Sequence, residues 1–495
     1  MNKALVVSSL FFFFHLVLAY YFDLIDDEAY YNLWSSKLSL GYYDHPPMIA
    51  WWISLGKSVF GETTLGVRFC ASIAFFLVSI LVARIAFIIG GGDRILISVI
   101  LFNIMAPVMG LGFIATPDAP LILFWTCALW ATLEGLFRKN PWYWILVGVF
   151  VSLAILSKFN ALFYVVGLAG WCIFSKAGRN ELKAPFIWLG VCVGVLLLLP
   201  AVYWNYQNDW VGLEKQFGRL LNEKVGSYFF LEFILSIVIF ATPLIFIFSV
   251  LGVFKKHEFR DLLLWVHLPL FIYFLNHSFT ERIQGNWIIT VFPWLAILAA
   301  VGLQNLNKFW SQVTIFTGSF LTMLILVFGL NSYIVVFSGD NPFNQMKGWQ
   351  EAKVKFQEQL EEVEWIAVTD YSMVGRLTWL LGTNDKVWAL NEPYRYLFRE
   401  GFPSDFCTTP GILIQKIQTK NKKNNFVELT SDPVIYITRY SGEKDLMRYQ
   451  FRKFRKVNES AYCGRRQLFI AQENSLVFVI YWDVSAFLRP LPQFA

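Results

Sequence analysis

The sequence predicts a polytopic α-helical membrane protein with a soluble α/β domain at its C-terminal end, and three observations predict it. Of 495 residues, 56% are hydrophobic and 15% charged, with a mean hydropathy of +0.51, whereas soluble domains carry roughly a quarter charged residues. Aromatic residues make up 18%, including 49 Phe and 20 Trp, a share that suits many membrane–water interfaces. Apolar runs long enough to cross about 30 Å of hydrocarbon recur as far as Phe337, and beyond it charges of both signs become dense.

The runs are Ala4–Phe22, Leu65–Gly90, Ile95–Ala115, Ala119–Phe137, Trp142–Leu156, Ala161–Phe174, Pro185–Trp204, Phe229–Phe254, Leu262–Leu275, Trp287–Leu303 and Trp310–Phe337. They amount to about eleven spans. No small-residue cleavage site follows the first run, so it is expected to stay as an uncleaved helix. Sorting the loops alternately puts Lys3, Arg94, Arg138, Lys139, Lys176, Arg179, Lys183, Lys255, Lys256, Arg260 and Lys308 on one side. Short basic loops mark the cytoplasm. The opposite loops, 23–64, Thr116–Asp118, Ser157–Asn160, Asn205–Ser227 and Ser278–Asn286, then face the periplasm of a bacterial inner membrane.

Residues 1–338 form the predicted membrane domain, with an outer loop at 23–64, and residues 339–495 the periplasmic α/β domain. Short β-rich runs at Trp365–Thr369, Lys386–Leu390, Val434–Thr438 and Leu476–Trp482 support the latter. The net charge of +6 is spread through the inner loops and forms no stripe suited to nucleic acid. Cys70, Cys127, Cys172 and Cys192 lie in apolar runs, where a thiol behaves as a small hydrophobe. Cys407 and Cys463 lie in the polar region, where an oxidising periplasm permits a disulfide.

Nearly every polar motif of interest sits on the outer face. The first loop carries Asp26-Asp27-Glu28-Ala-Tyr30-Tyr31 and Tyr43-Asp44-His45-Pro46-Pro47. A carboxylate at the lipid boundary is tuned by desolvation or by a cation, as a general base requires, although solvated loop acids look the same in a sequence. Aromatic faces there serve membrane anchoring or sugar stacking equally well. Asp118, in Thr116-Pro117-Asp118-Ala119-Pro120, either caps a new helix or faces the outer cavity. Lys158 and Arg282 are basic residues at outward positions that the positive-inside bias disfavours, so they either snorkel or await an anion.

Together these groups permit glycosyl transfer from a lipid-linked phosphosugar, with cations on the leaving phosphate and a carboxylate activating the acceptor. Phosphate-loop, nucleophile-elbow and zinc-spaced Cys/His motifs are missing from the sequence. No cofactor is required by this chemistry. A divalent ion held by Asp27, Asp118 and His45 is a further option, since carboxylate and imidazole suit such ions.

In their order along the chain, Asp26-Asp27-Glu28-Ala-Tyr30-Tyr31, Tyr43-Asp44-His45-Pro46-Pro47, Thr116-Pro117-Asp118-Ala119-Pro120 and Gln284-Gly-Asn286-Trp287 resemble the GT-C glycosyltransferases. More narrowly, the chain resembles the bacterial dolichyl-phosphate-mannose-protein-mannosyltransferase-like group that includes the aminoarabinose lipid A transferases. The resemblance implies Asp27 as the catalytic acid position, Asp118 as the second acid, and Lys158, Arg282 and His45 around the donor phosphate. Glu28, Tyr30, Tyr31, Tyr43, Asp44 and Asn286 are then expected to contact substrate. It also implies an undecaprenyl-phosphate-sugar donor and a lipid A or lipopolysaccharide-core acceptor. His45 and Tyr30 stand where the aminoarabinose enzymes carry Lys and Arg, which implies a different sugar, a hexosamine or a uronic acid. A protein acceptor and, from another class, a lipid or sugar transporter are the alternatives. A membrane-anchored scaffold would not need so many spans.

Overall fold

Two prolines decide where two of the expected spans break. The structure, a computed structural model, describes residues 1–218, 229–331, 335, 341–361, 363–382, 386–390, 392–399, 409–417, 434–441, 444–454, 467–472 and 476–481. The expected Ile95–Ala115 span divides into helices Ile95–Asn103 and Ala106–Leu111, with Pro107 in the first turn of the second. Proline supplies no N–H and its predecessor avoids helical geometry. The freed Ile104 carbonyl is not wasted, because the Thr322 hydroxyl donates to it at 2.6 Å, which is how irregular backbone is tolerated inside a membrane protein. Phe229–Phe254 likewise divides at Thr242, φ +69, before Pro243, giving two helices bent by 99°.

Among the described residues, six helices are long and apolar enough to cross a membrane: Asn2–Tyr21, Thr64–Gly90, Asp118–Arg138, Pro185–Gln207, Gly285–Gly302 and Lys308–Leu330. The bent pair Phe229–Ala241 and Pro243–Val253 adds a seventh if it counts as one span. Tyr143–Ile155 and Phe159–Phe174 are shorter apolar helices where two further spans were expected. The chain is therefore a multi-pass membrane protein, with Arg260–His277 as another helix of the same unit. The 23–64 stretch, predicted without detail, folds into two helices, Asp26–Ser36 and Met48–Phe60.

The chain divides into two units, Met1–Asn331 with Tyr394–Phe398, and Ser332–Pro393 with Arg399–Ala495. The sequence assigned Tyr394–Phe398 to the soluble part, but these residues pack with the membrane helices. In the second unit, β1 (Trp365–Val368), β2 (Val387–Ala389), β3 (Gly411–Ile417), β4 (Ile435–Ser441) and β5 (Lys444–Phe454) form a sheet in the order β2-β1-β3-β5-β4. β1 pairs in parallel with β2 and β3, and β5 pairs antiparallel with β3 and β4. Helices Trp349–Leu360 and Tyr371–Leu381 complete an α/β unit. In it the guanidiniums of Arg376 and Arg439 lie 4.5 and 4.4 Å from the Trp349 ring. Cys407 and Cys463 lie outside the described residues.

Candidate active site

Three consecutive acids open the Asp26–Ser36 helix, and the fold treats them differently. Asp26 and Glu28 are buried at 4% and 0% exposure, while Asp27 keeps partial solvent access. Glu28 accepts from the Ile25 amide at 2.9 Å, closing the helix start, and from the Ala115 amide at 2.8 Å. Arg68 donates to both its oxygens, at 2.7 and 2.6 Å, and spends its other N–H groups on the Ala19, Phe22 and Asp23 carbonyls. The expectation that Glu28 contacts substrate is corrected by this count: its lone pairs are engaged by protein donors. It is a strut fixing the turn that carries Asp27 to the turn that carries Asp118.

Asp118 begins its own helix with 1% exposure. Lys158 Nζ donates to its Oδ1 at 2.7 Å, and Asn286 Nδ2 donates to its Oδ2 at 2.7 Å. Three predicted residues from three separate turns thus converge on one point. Two links to backbone carbonyls hold the turns in place: Asn160 Nδ2 donates to the Trp287 carbonyl at 3.3 Å, and the Met48 amide donates to the Leu156 carbonyl at 3.1 Å. The second link ties the Asp44-His45-Pro46-Pro47 stretch to the loop of Lys158. An ammonium has three N–H bonds, and Lys158 uses one on Asp118. The remainder suit an anionic oxygen.

Asp44 takes another arrangement. It forms a buried ion pair with Arg395 and accepts from the Tyr30 hydroxyl at 2.9 Å. Tyr30 also donates to the Arg395 carbonyl at 3.2 Å. Burial pushes the Asp44 carboxyl above the usual carboxylate range, with Arg395 and Tyr30 pulling the other way. Burial first, then the Asp44 charge, pushes the Tyr30 phenol well above its usual range. Tyr30, expected to contact substrate, is buried at 1% exposure. Tyr31, 6% exposed, packs between Trp34 and His45, with ring centroids 4.9 and 6.1 Å away. Tyr43 remains half-buried and stacks on Tyr394 at 5.9 Å and 21°.

Arg282 does not join either group. Its side chain is 73% exposed and bonds Glu232 at 2.6 Å, an exposed pairing of the kind that contributes little. Asp27, Asp118 and His45 do not gather either: among the described residues no three His, Cys, Asp or Glu side chains are placed to share a metal ion. Asp118 Oδ1 and Oδ2 each accept from a protein nitrogen.

Sequence reasoning missed Arg68, Arg395 and Glu232 as partners. An arginine inside an apolar run, as Arg68 is in the run at 65–90, is a signal that it pairs internally; Arg395, in Pro393-Tyr394-Arg395-Tyr396, gives none.

The dolichyl-phosphate-mannose-protein mannosyltransferase family model matches residues 44–204, a stretch holding Asp44, His45, Asp118 and Lys158. The lipid A galacturonosyltransferase RgtD of Rhizobium johnstonii is 26% identical over 286 residues, covering 56% of this chain and 60% of that protein. An Aquifex aeolicus protein is 24% identical over 296 residues, 58% of each chain. The match thus spans about three fifths of these relatives' length. Among solved structures, ArnT from Cupriavidus metallidurans bound to undecaprenyl phosphate superposes with a TM-score of 0.62 at 14% identity, covering 90% of this chain and 97% of that one. The chain shares the fold of that structure. The Archaeoglobus fulgidus oligosaccharyltransferase has a TM-score of 0.50 at 12% identity over 83% of this chain and 68% of its own. At such identities, the two solved structures speak for the GT-C fold alone.

Proposed function

We propose that this chain is an integral-membrane glycosyltransferase that moves a sugar from an undecaprenyl-phosphate-sugar to lipid A or lipopolysaccharide core on the periplasmic face. The meeting of Asp118, Lys158 and Asn286, joined through Ala115 and Glu28 to the turn of Asp27, is the observation that supports it. In this reading the acceptor hydroxyl oxygen attacks the anomeric carbon while an Asp27 oxygen takes its proton. The bond from that carbon to the phosphate oxygen breaks, and its electron pair leaves on the phosphate. Lys158 donates to that oxygen as charge develops, in a water-poor site where such a contact counts for more than in water. Asp118 holds the ammonium in place, and Asn286 holds Asp118. A single displacement inverts the anomeric centre.

The RgtD name supports a lipid A acceptor, and the undecaprenyl phosphate held by the ArnT structure supports the donor class. Tyr30 turned inward onto Asp44 supplies no cation to a phosphate, which supports a donor other than aminoarabinose, a hexosamine or a uronic acid. A protein acceptor is the second reading, favoured by the family description matched at 44–204. Transport loses support because Arg68 and Arg84, the span arginines, are committed to Glu28 and Glu134. Purified protein incubated with lipid A and undecaprenyl-phosphate-sugars, read by mass spectrometry, tests the proposal. A lipid A mass unchanged for every donor, with a modified protein acceptor instead, would replace the first reading by the second.

A further inference from the structure

A cavity of about 200 Å3 opens in the membrane unit apart from the Asp118 cluster. Its wall is built by Lys37, Tyr43, Trp204, Asn208, Tyr394 and Arg395, and it includes none of Asp27, Asp118 or Lys158. The sequence arranges it with some care. Lys37 ends the Asp26–Ser36 helix and is exposed. Gly41 is required because a Cβ there would come within 2.5 Å of the Trp204 ring, so only glycine lets the indole lie over the loop. Tyr43 and Tyr394 stack at 21°, and the Arg395 guanidinium lies 5.9 Å from the Tyr43 ring.

We infer that this cavity is a subsite for one pyranose ring bearing a carboxylate or phosphate. Flat aromatic faces suit the C–H face of a sugar, the Asn208 amide suits its hydroxyls, and Lys37 with Arg395 suits a negative charge. Cavities for drug-sized ligands span roughly 300–1,000 Å3, so this one takes a single ring. Arg395 reaches it while holding Asp44, so occupancy bears on the loop that leads to His45. Whether the ring belongs to donor or acceptor rests on the transfer proposed above, whereas binding itself does not.

Saturation-transfer NMR on the full-length protein in detergent, with methyl glucuronoside, glucose 6-phosphate and neutral methyl glucoside, tests it. The charged sugars are expected to bind more tightly than the neutral one. Lys37→Ala should weaken them about three- to fivefold, as loss of one exposed charge contact does, and leave methyl glucoside unchanged. Tyr394→Ala should weaken all three by about tenfold through the lost ring. Equal binding of charged and neutral sugars, or charged-sugar binding indifferent to Lys37→Ala, would overturn the assignment. In turnover assays a raised KM for the acceptor alone in Lys37→Ala places the ring on the acceptor, and a raised KM for the donor alone places it on the donor. Charged-sugar binding without any transfer by the unaltered protein would sink the proposed function and leave the subsite standing.

Discussion

Glu28 and Asp118 are two buried carboxylates in the first turns of their helices, each held by a cation, yet they are built for different ends. Glu28 meets Arg68, whose guanidinium is spread over one carboxylate and three carbonyls, and it also accepts two backbone amides. Nothing in that set faces a ligand. Asp118 meets a lysine, a compact charge with N–H bonds to spare, and an asparagine whose carbonyl oxygen is not spent on it. The difference teaches that burial and pairing alone do not mark a site; the count of unused donors does.

The largest expected effect strikes the closed pair. Arg68→Ala leaves Glu28 charged and unpaired in the interior, at a cost of about 3–5 kcal/mol, so thermal unfolding in detergent should fall steeply and activity with it. A stable Arg68→Ala protein would break the comparison at once. Next, Asp27→Asn should lower transfer by about 10²- to 10⁴-fold, the range of a positioned general base, with unfolding temperature and membrane abundance unchanged. Normal turnover in that variant removes Asp27 from the chemistry. Lys158→Ala should cost about 10²-fold in kcat, as loss of one donor to a developing charge does; a change confined to stability would make the Asp118 cluster a second strut.

A smaller effect concerns pH. Because burial holds the folded Asp44 carboxyl above its unfolded value, the folded state keeps its proton longer. Stability from this group is present below the unfolded carboxylate range and is lost as pH rises through the folded value. Asp44→Asn should therefore flatten the decline in unfolding temperature above the ordinary carboxylate range, and a slope identical to the unaltered protein would contradict the burial argument. The smallest effect is assigned to Arg282→Ala, whose exposed pair with Glu232 should leave transfer within about threefold. A loss matching Lys158→Ala would return Arg282 to the phosphate, as the sequence suggested.

Much of this was legible beforehand. Lys158 could be picked out because it interrupts an apolar run, whereas Asp118 and Asn286 were picked out in the motifs Thr116-Pro117-Asp118-Ala119-Pro120 and Gln284-Gly-Asn286-Trp287. Glu28 was misplaced because neighbours on a helix point about 100° apart, and adjacency in sequence does not say which acid faces inward. Arg395 was out of reach, since 351 residues separate it from Asp44 and its surroundings look like soluble surface. The span count drifted for a local reason: Pro107 and Pro243 break runs whose composition is uniformly apolar.

The return of Tyr394–Phe398 to the membrane unit has a practical corollary for anyone dissecting the molecule. Cutting the chain after residue 338 would strip Asp44 of its guanidinium and Tyr43 of its stacking ring. Loss of activity in such a truncated protein would then say little about the sheet that follows, and only a deletion that reconnects the membrane helices to residues 394–398 can separate the two halves cleanly.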